Sequence, residues 1–131
     1  MNVLDENIPL DQRDQLEHWG FRCRTIGREL AALSIGDDNI IALLHRIKQP
    51  TLFTRDLHFF HHHLCHLGYA LVFLDLAPEE VAIFVRRFLT HPRFKTRALR
   101  MGVVARVHHD GVSFWQRSVL GLQRVAWVTE M

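Results

Sequence analysis

Cysteine, lysine and long apolar runs are what this sequence has least of. Two cysteines, Cys23 and Cys65, are too few for a disulfide framework, so a reducing, cytoplasmic setting is expected. No run of eighteen apolar residues occurs and the first residues are acidic rather than basic, which excludes a transmembrane helix and leaves no signal peptide to expect. Only two of the 16 basic residues are lysine, Lys48 and Lys95. From Val81 to His109 there is no acid at all. Internal repeats, low-complexity stretches and linkers are also missing.

What is present is enough apolar matter for one core: 131 residues, 48% of them hydrophobic. That balance argues against disorder. One domain is expected over residues 1–116, followed by an apolar extension, 117–131, expected as a last helix or an oligomer contact. Net charge is only +2, but residues 1–80 hold 12 acids and 7 bases while residues 81–131 hold 9 bases and 2 acids. Arginine forks match phosphate oxygens in pairs. An acidic half beside an arginine-rich half suits a nuclease, with acids for metal and arginines for the backbone. The plain alternative is a solvated helix face and an acidic protein partner.

Strand and helix signals alternate along the chain. Asn2-Val3-Leu4 and Leu52-Phe53 are apolar runs too short for helices, so strands are expected there. Pro9 suits a helix start, and Leu10 to Trp19 reads as a helix stopped by Gly20. Phe21 to Ile26 alternates as a half-covered strand, and Gly27 to Gly36 reads as a loop. Asp37 and Asp38 open a helix with Ile40, Ile41, Leu43, Leu44 and Ile47 as its apolar stripe. Leu57 to Leu67 reads as a helix, and Tyr69 to Leu74 as a central strand covered on both faces. Val81, Phe84, Val85, Phe88 and Leu89 follow the helical period closely. Met101 to Val107 and Val112 to Trp115 form a hairpin around Asp110-Gly111. This order predicts an α/β fold with a mostly parallel sheet and a carboxyl-terminal hairpin.

Acids gather just past strand ends, where open α/β sheets bind ligands. Asp5 and Glu6 follow the first strand, Asp56 the third and Asp75 the fourth, while Asp37 opens the helix before the third strand. Crowded carboxylates repel unless a divalent cation neutralises them, which points to magnesium or manganese. Asp37 is equally explained as a first-turn helix acid. Arg55 lies beside the expected site, and Arg86, Arg87, Arg93 and Arg97 are candidates for RNA-backbone contacts. His58, His62 and His66 recur every four residues and would share one helix face, an alternative transition-metal site or simply a polar face.

Four blocks carry a family resemblance. Val3-Leu4-Asp5-Glu6-Asn7-Ile8-Pro9, Phe21-Arg22-Cys23, Asp37-Asp38-Asn39-Ile40-Ile41 and Leu52-Phe53-Thr54-Arg55-Asp56 occur in order over residues 2 to about 90. The chain resembles the PIN-like proteins grouped with the short VapC-type toxins. The resemblance implies a three-layer PIN-like fold and a magnesium- or manganese-dependent endoribonuclease. It also implies an RNA substrate, a small cognate antitoxin and a homodimer. Asp5, Asp37 and Asp56 match the family's acidic positions, and Glu6 its common second acid. The departure is His58, which stands where the family often carries a further acid. It removes a negative charge from the site, which leaves open a non-catalytic PIN-like binding protein. A phospho-receiver-like domain is the third reading, but neither lysine lies at a late strand end as that chemistry needs.

Overall fold

The structure is a computed structural model that describes residues 1–30 and 36–128. Seven strands form one sheet: β1 (Asn2–Leu4), β2 (Cys23–Thr25), β3 (Thr51–Thr54), β4 (Ala70–Leu74), β5 (Val103–His108), β6 (Gly111–Gln116) and β7 (Val119–Ala126). Their order is β2-β1-β3-β4-β5-β6-β7. The first five are parallel and the last two antiparallel. The expected α/β class, parallel core and terminal hairpin are therefore present. The helices are α1 (Leu10–His18), α2 (Asp37–Leu44), α3 (Val81–Thr90) and the short α4 (Arg97–Arg100), which the sequence patterns had not suggested.

All residues of β3 and β4 are buried, as unbroken apolar runs require when helices cover both faces. Side-chain alternation divides the core in two. Leu4, Phe53, Val72 and Phe114 turn to the face under α3, with its Phe84, Val85 and Phe88. Val3, Leu52, Leu71 and Val104 turn to the other face, toward Ile40 and Leu44 of α2 and toward Phe59 and Tyr69. The stripe expected on α3 (Val81, Phe84, Val85, Phe88, Leu89) is wholly buried.

Two expectations are corrected. Residues Leu57 to Leu67 are not an α-helix but two single 3-10 turns, Leu57–Phe59 and His62–Leu64. Histidine, phenylalanine and cysteine are weak helix formers, and the aromatic side chains here find separate partners instead of one shared stripe. Phe59 is buried in the core, Phe60 lies against Phe73, and His62 stacks on Trp115 at 4.9 Å. Of the two expectations for residues 117–131, a last helix or an oligomer contact, the helix is overturned: Val119–Ala126 is the seventh strand, paired to β6 in the same sheet. The alternation of Val119, Gly121, Gln123 and Val125 with Leu120, Leu122 and Arg124 suits a pleat rather than a helix. The remainder of that tail past Val128, and the stretch 31–35 of the expected Gly27 to Gly36 loop, lie outside the described residues.

The hairpin depends on Gly111, whose φ is 151° and whose absent Cβ would collide with the carbonyl oxygen of Val125 on β7. Gly111→Ala is expected to lower stability by at least about 2 kcal/mol through strain and displaced pairing. Urea unfolding checks this; an unshifted midpoint would show that β7 yields freely.

Candidate metal centre

The sheet order makes the carboxyl edge of β1 and β3 the meeting point of the fold. From β1 the chain steps outward to β2, and from β3 it steps the opposite way to β4 and β5. Ligands of open α/β sheets bind in the crevice where the order reverses. The register pairs Leu4 with Phe53, so Asp5 leaves β1 beside Thr54, with its N–H donating to the Phe53 carbonyl at 2.9 Å.

A hydrogen-bonded lattice fixes this edge. The Thr54 hydroxyl donates to Asp5 Oδ2 at 2.6 Å and accepts from the Asp56 N–H at 3.1 Å. The Glu6 N–H donates to Asp5 Oδ1 at 2.8 Å. Asn7 reaches across, its Oδ1 accepting the Arg55 N–H at 3.2 Å. One hydroxyl thus joins the Asp5 carboxylate to the Asp56 backbone. Asp56 then caps the first 3-10 turn: its Oδ1 accepts the His58 N–H at 2.9 Å and lies 3.2 Å from His58 Nδ1.

Donor atoms of Asp37, Asp56 and His58 all lie within 4.8 Å of one another. Divalent cations sit about 2.0–2.6 Å from oxygen ligands, so small side-chain adjustments bring this set around one ion. Asp37 is exposed in the first turn of α2, Asp56 half-buried and His58 exposed. The donors are two carboxylates and an imidazole, which suits manganese better than magnesium.

Asp5 stands behind this trio rather than in it. It is only 5% exposed. Burial pushes its carboxyl above the ordinary range, the Thr54 hydroxyl and Glu6 N–H partly offset this, and the charges of Glu6 and Asp56 push it further up. The ionised form is therefore disfavoured in the fold. Its contribution to stability is fully present below the usual aspartate pKa and is lost as pH rises through the raised value. A cation nearby would reverse that penalty.

The other predicted residues lie elsewhere. Asp75 ends β4, but its Oδ2 takes both Nε and Nη2 of Arg106, at 2.9 and 2.7 Å. Arg86 lies over the Trp19 ring at 3.9 Å, and Arg87 over Trp127 at 4.8 Å. Arg93 lies over Phe114 and bonds Gln116. Arg97 faces the amino end of the sheet with Arg22 and Arg24. Of the predicted arginines, Arg55 lies in the segment just past β3, its N–H donating to Asn7, and its Nε is the one buried side-chain nitrogen or oxygen lacking a hydrogen-bond partner among the described residues.

The shared histidine face does not exist. His62 stacks on Trp115, whereas His66 stacks on Tyr69, sits edge-on to His45, and accepts the Gly68 N–H. Without a helical turn, the four-residue spacing loses its geometric meaning. Sequence reasoning passed over Thr54 and Asn7 as supports; the signal was their place in the blocks that hold Asp5 and Asp56. For the phospho-receiver reading, Lys48 and Lys95 are both exposed, and neither follows the carboxyl end of a strand. Neither cysteine is a candidate nucleophile: burial pushes the Cys23 thiol up to about 11 and raises Cys65 as well.

Comparison with known proteins adds no relative: no family model matches the chain, and no curated protein or solved structure matches it significantly.

Proposed function

We propose that the chain is a PIN-like, metal-dependent endoribonuclease, the toxin of a toxin–antitoxin pair, with Asp37, Asp56 and His58 as its metal ligands. The observation that carries this is the convergence of those three donors at the carboxyl edge where the sheet order reverses. A bound Mn2+ or Mg2+ would supply a Lewis-acid charge against the scissile phosphodiester. The chain's own residues do the rest. Asp5 orients Thr54, and Thr54 holds the Asp56 backbone, so the ligand loop is set before metal arrives. The unsatisfied Nε of Arg55 is a donor that a phosphate oxygen would complete.

Manganese titration by calorimetry, paired with cleavage of total RNA in the same buffer, tests the reading. Binding without cleavage would leave a cation-binding protein, and no binding would remove the centre. Growth arrest on expressing the chain alone, relieved by a small neighbouring gene product, tests the toxin assignment. Light scattering tests the homodimer, for which the exposed edge strand β7, with Leu120 94% accessible, is the natural surface.

One feature favours the non-catalytic alternative. Both Asp5 oxygens are already hydrogen-bonded and buried, so Asp5 is satisfied without an ion. His58 separates the two readings. His58→Asp restores a hard oxygen donor and is expected to shift preference from Mn2+ toward Mg2+ by roughly tenfold. Unchanged preference in competitive titration would show that His58 is not a ligand.

A further inference from the structure

A groove of about 950 Å3 opens at the amino ends of β1 and β2, the opposite end of the sheet from Asp56. Arg22, Arg24, Arg97 and Arg100 line it, from two segments more than seventy positions apart in sequence. Its two carboxylates, Glu17 and Glu29, are both taken by Arg13. Among the described residues no carboxylate forms an ion pair with the other four arginines.

Arg100 is the unusual member. It is only 6% exposed, yet its hydrogen-bond partners are neutral: Nε donates to Thr51 Oγ1 at 3.0 Å and Nη1 to the Phe94 carbonyl at 2.8 Å. Burial, and then the charge of Arg97, lowers its pKa from the usual arginine value. A buried guanidinium without a counter-charge is costly, and an anion bound in the groove would offset that cost. Arg100 is also pinned in orientation, so little side-chain entropy remains to lose on binding. Phe21, half-buried in the same groove, offers a ring on which a base can stack.

We infer that this groove binds the sugar–phosphate backbone of single-stranded nucleic acid, with Arg100 as the fixed anion contact and Arg22, Arg24 and Arg97 as the outer ones. Forked guanidiniums beside an aromatic ring suit phosphates and bases better than the carboxylates of an acidic peptide. The inference stands apart from the metal centre, since a protein that cuts nothing could still hold RNA here.

Fluorescence anisotropy of a labelled uridine-rich RNA, in excess chelator so that no cleavage occurs, is the test. Arg22→Gln/Arg24→Gln removes two exposed contacts and should weaken binding roughly tenfold. It should also reduce the slope of log K against log salt by about 1.4, near 0.7 per single-strand phosphate lost. Arg117→Gln/Arg124→Gln removes the same charge around β7, at the far edge of the sheet from β2, and should leave binding within about twofold. Equal weakening by the two pairs would reduce the groove to diffuse net charge and overturn the proposal. So would a polyglutamate peptide that binds the parent as tightly as the RNA and displaces it, which would make the occupant an acidic protein segment.

Discussion

Asp56→Asn is expected to keep its fold and lose its metal. The amide retains the oxygen that accepts the His58 N–H, so the turn after β3 keeps its cap. The Thr54 hydroxyl still receives the backbone N–H of position 56, because that bond does not involve the side chain. What disappears is one of two carboxylate charges around the proposed ion, and with it at least about a hundredfold in Mn2+ affinity, near 3 kcal/mol. RNA cleavage should fall with it. Melting with and without manganese reads both halves at once. At a hundredfold excess over its Kd the parent gains about 2.7 kcal/mol, whereas at the same manganese concentration the Asp56→Asn protein gains about 0.4 kcal/mol or less. A variant that binds manganese like the parent would dismiss Asp56 as a ligand and the centre with it.

Phe88→Ala should be the most damaging change away from that centre. Phe88 is fully buried; its ring stacks on Phe94 at 4.6 Å and meets Phe53 edge-on at 6.0 Å. Phe94 in turn meets Phe114 at 5.2 Å. This line of rings ties α3 to β3 and, through the turn after α3, to β6. Removing its middle member leaves a cavity that neighbours fixed in a sheet cannot fill, at about 3–5 kcal/mol. That is a large share of the roughly 5–15 kcal/mol typical of a domain, and it should lower Tm by on the order of 10 °C or more. The adjacent Arg86→Ala, which gives up only an exposed contact over Trp19, should cost about 1 kcal/mol or less. A Phe88→Ala protein as stable as Arg86→Ala would mean that the aromatic line does not hold the layers together.

The candidate site was legible only in part. Asp5 and Asp56 could be placed near one edge because each comes within two residues of a short parallel strand's end; the register then sets Asp5 beside Thr54, with Asp56 two residues further on. His58 was harder. Counted in sequence, it belongs with His62 and His66 on one helix face. In the structure, the Asp56 cap folds the chain into a single 3-10 turn and brings the His58 ring back to the carboxylate two residues before it. Periodicity cannot foresee that, since it assumes the element that the cap replaces. The roles given to Arg86, Arg87 and Arg93 came from their density alone, and aromatic rings hold all three. Arg22 and Arg24 read only as the polar side of a strand until α4 brought Arg97 and Arg100 alongside.

By itself the sequence determined the layered α/β architecture: apolar runs without alternation need cover on both faces, and the stripe on α3 supplies it on one of them. It also determined that acids stand near the strand ends, because Asp5 follows its strand directly and Asp56 comes two residues after the last residue of β3. Only the tertiary structure decided which of those acids share a centre and which are neutralised, as Asp75 is by Arg106. It alone turned the last apolar stretch into an edge strand and left four arginines around one groove without a counter-charge among the described residues. The physical reason is that a strand or helix is dictated by neighbours along the chain, whereas burial and charge pairing depend on neighbours in space.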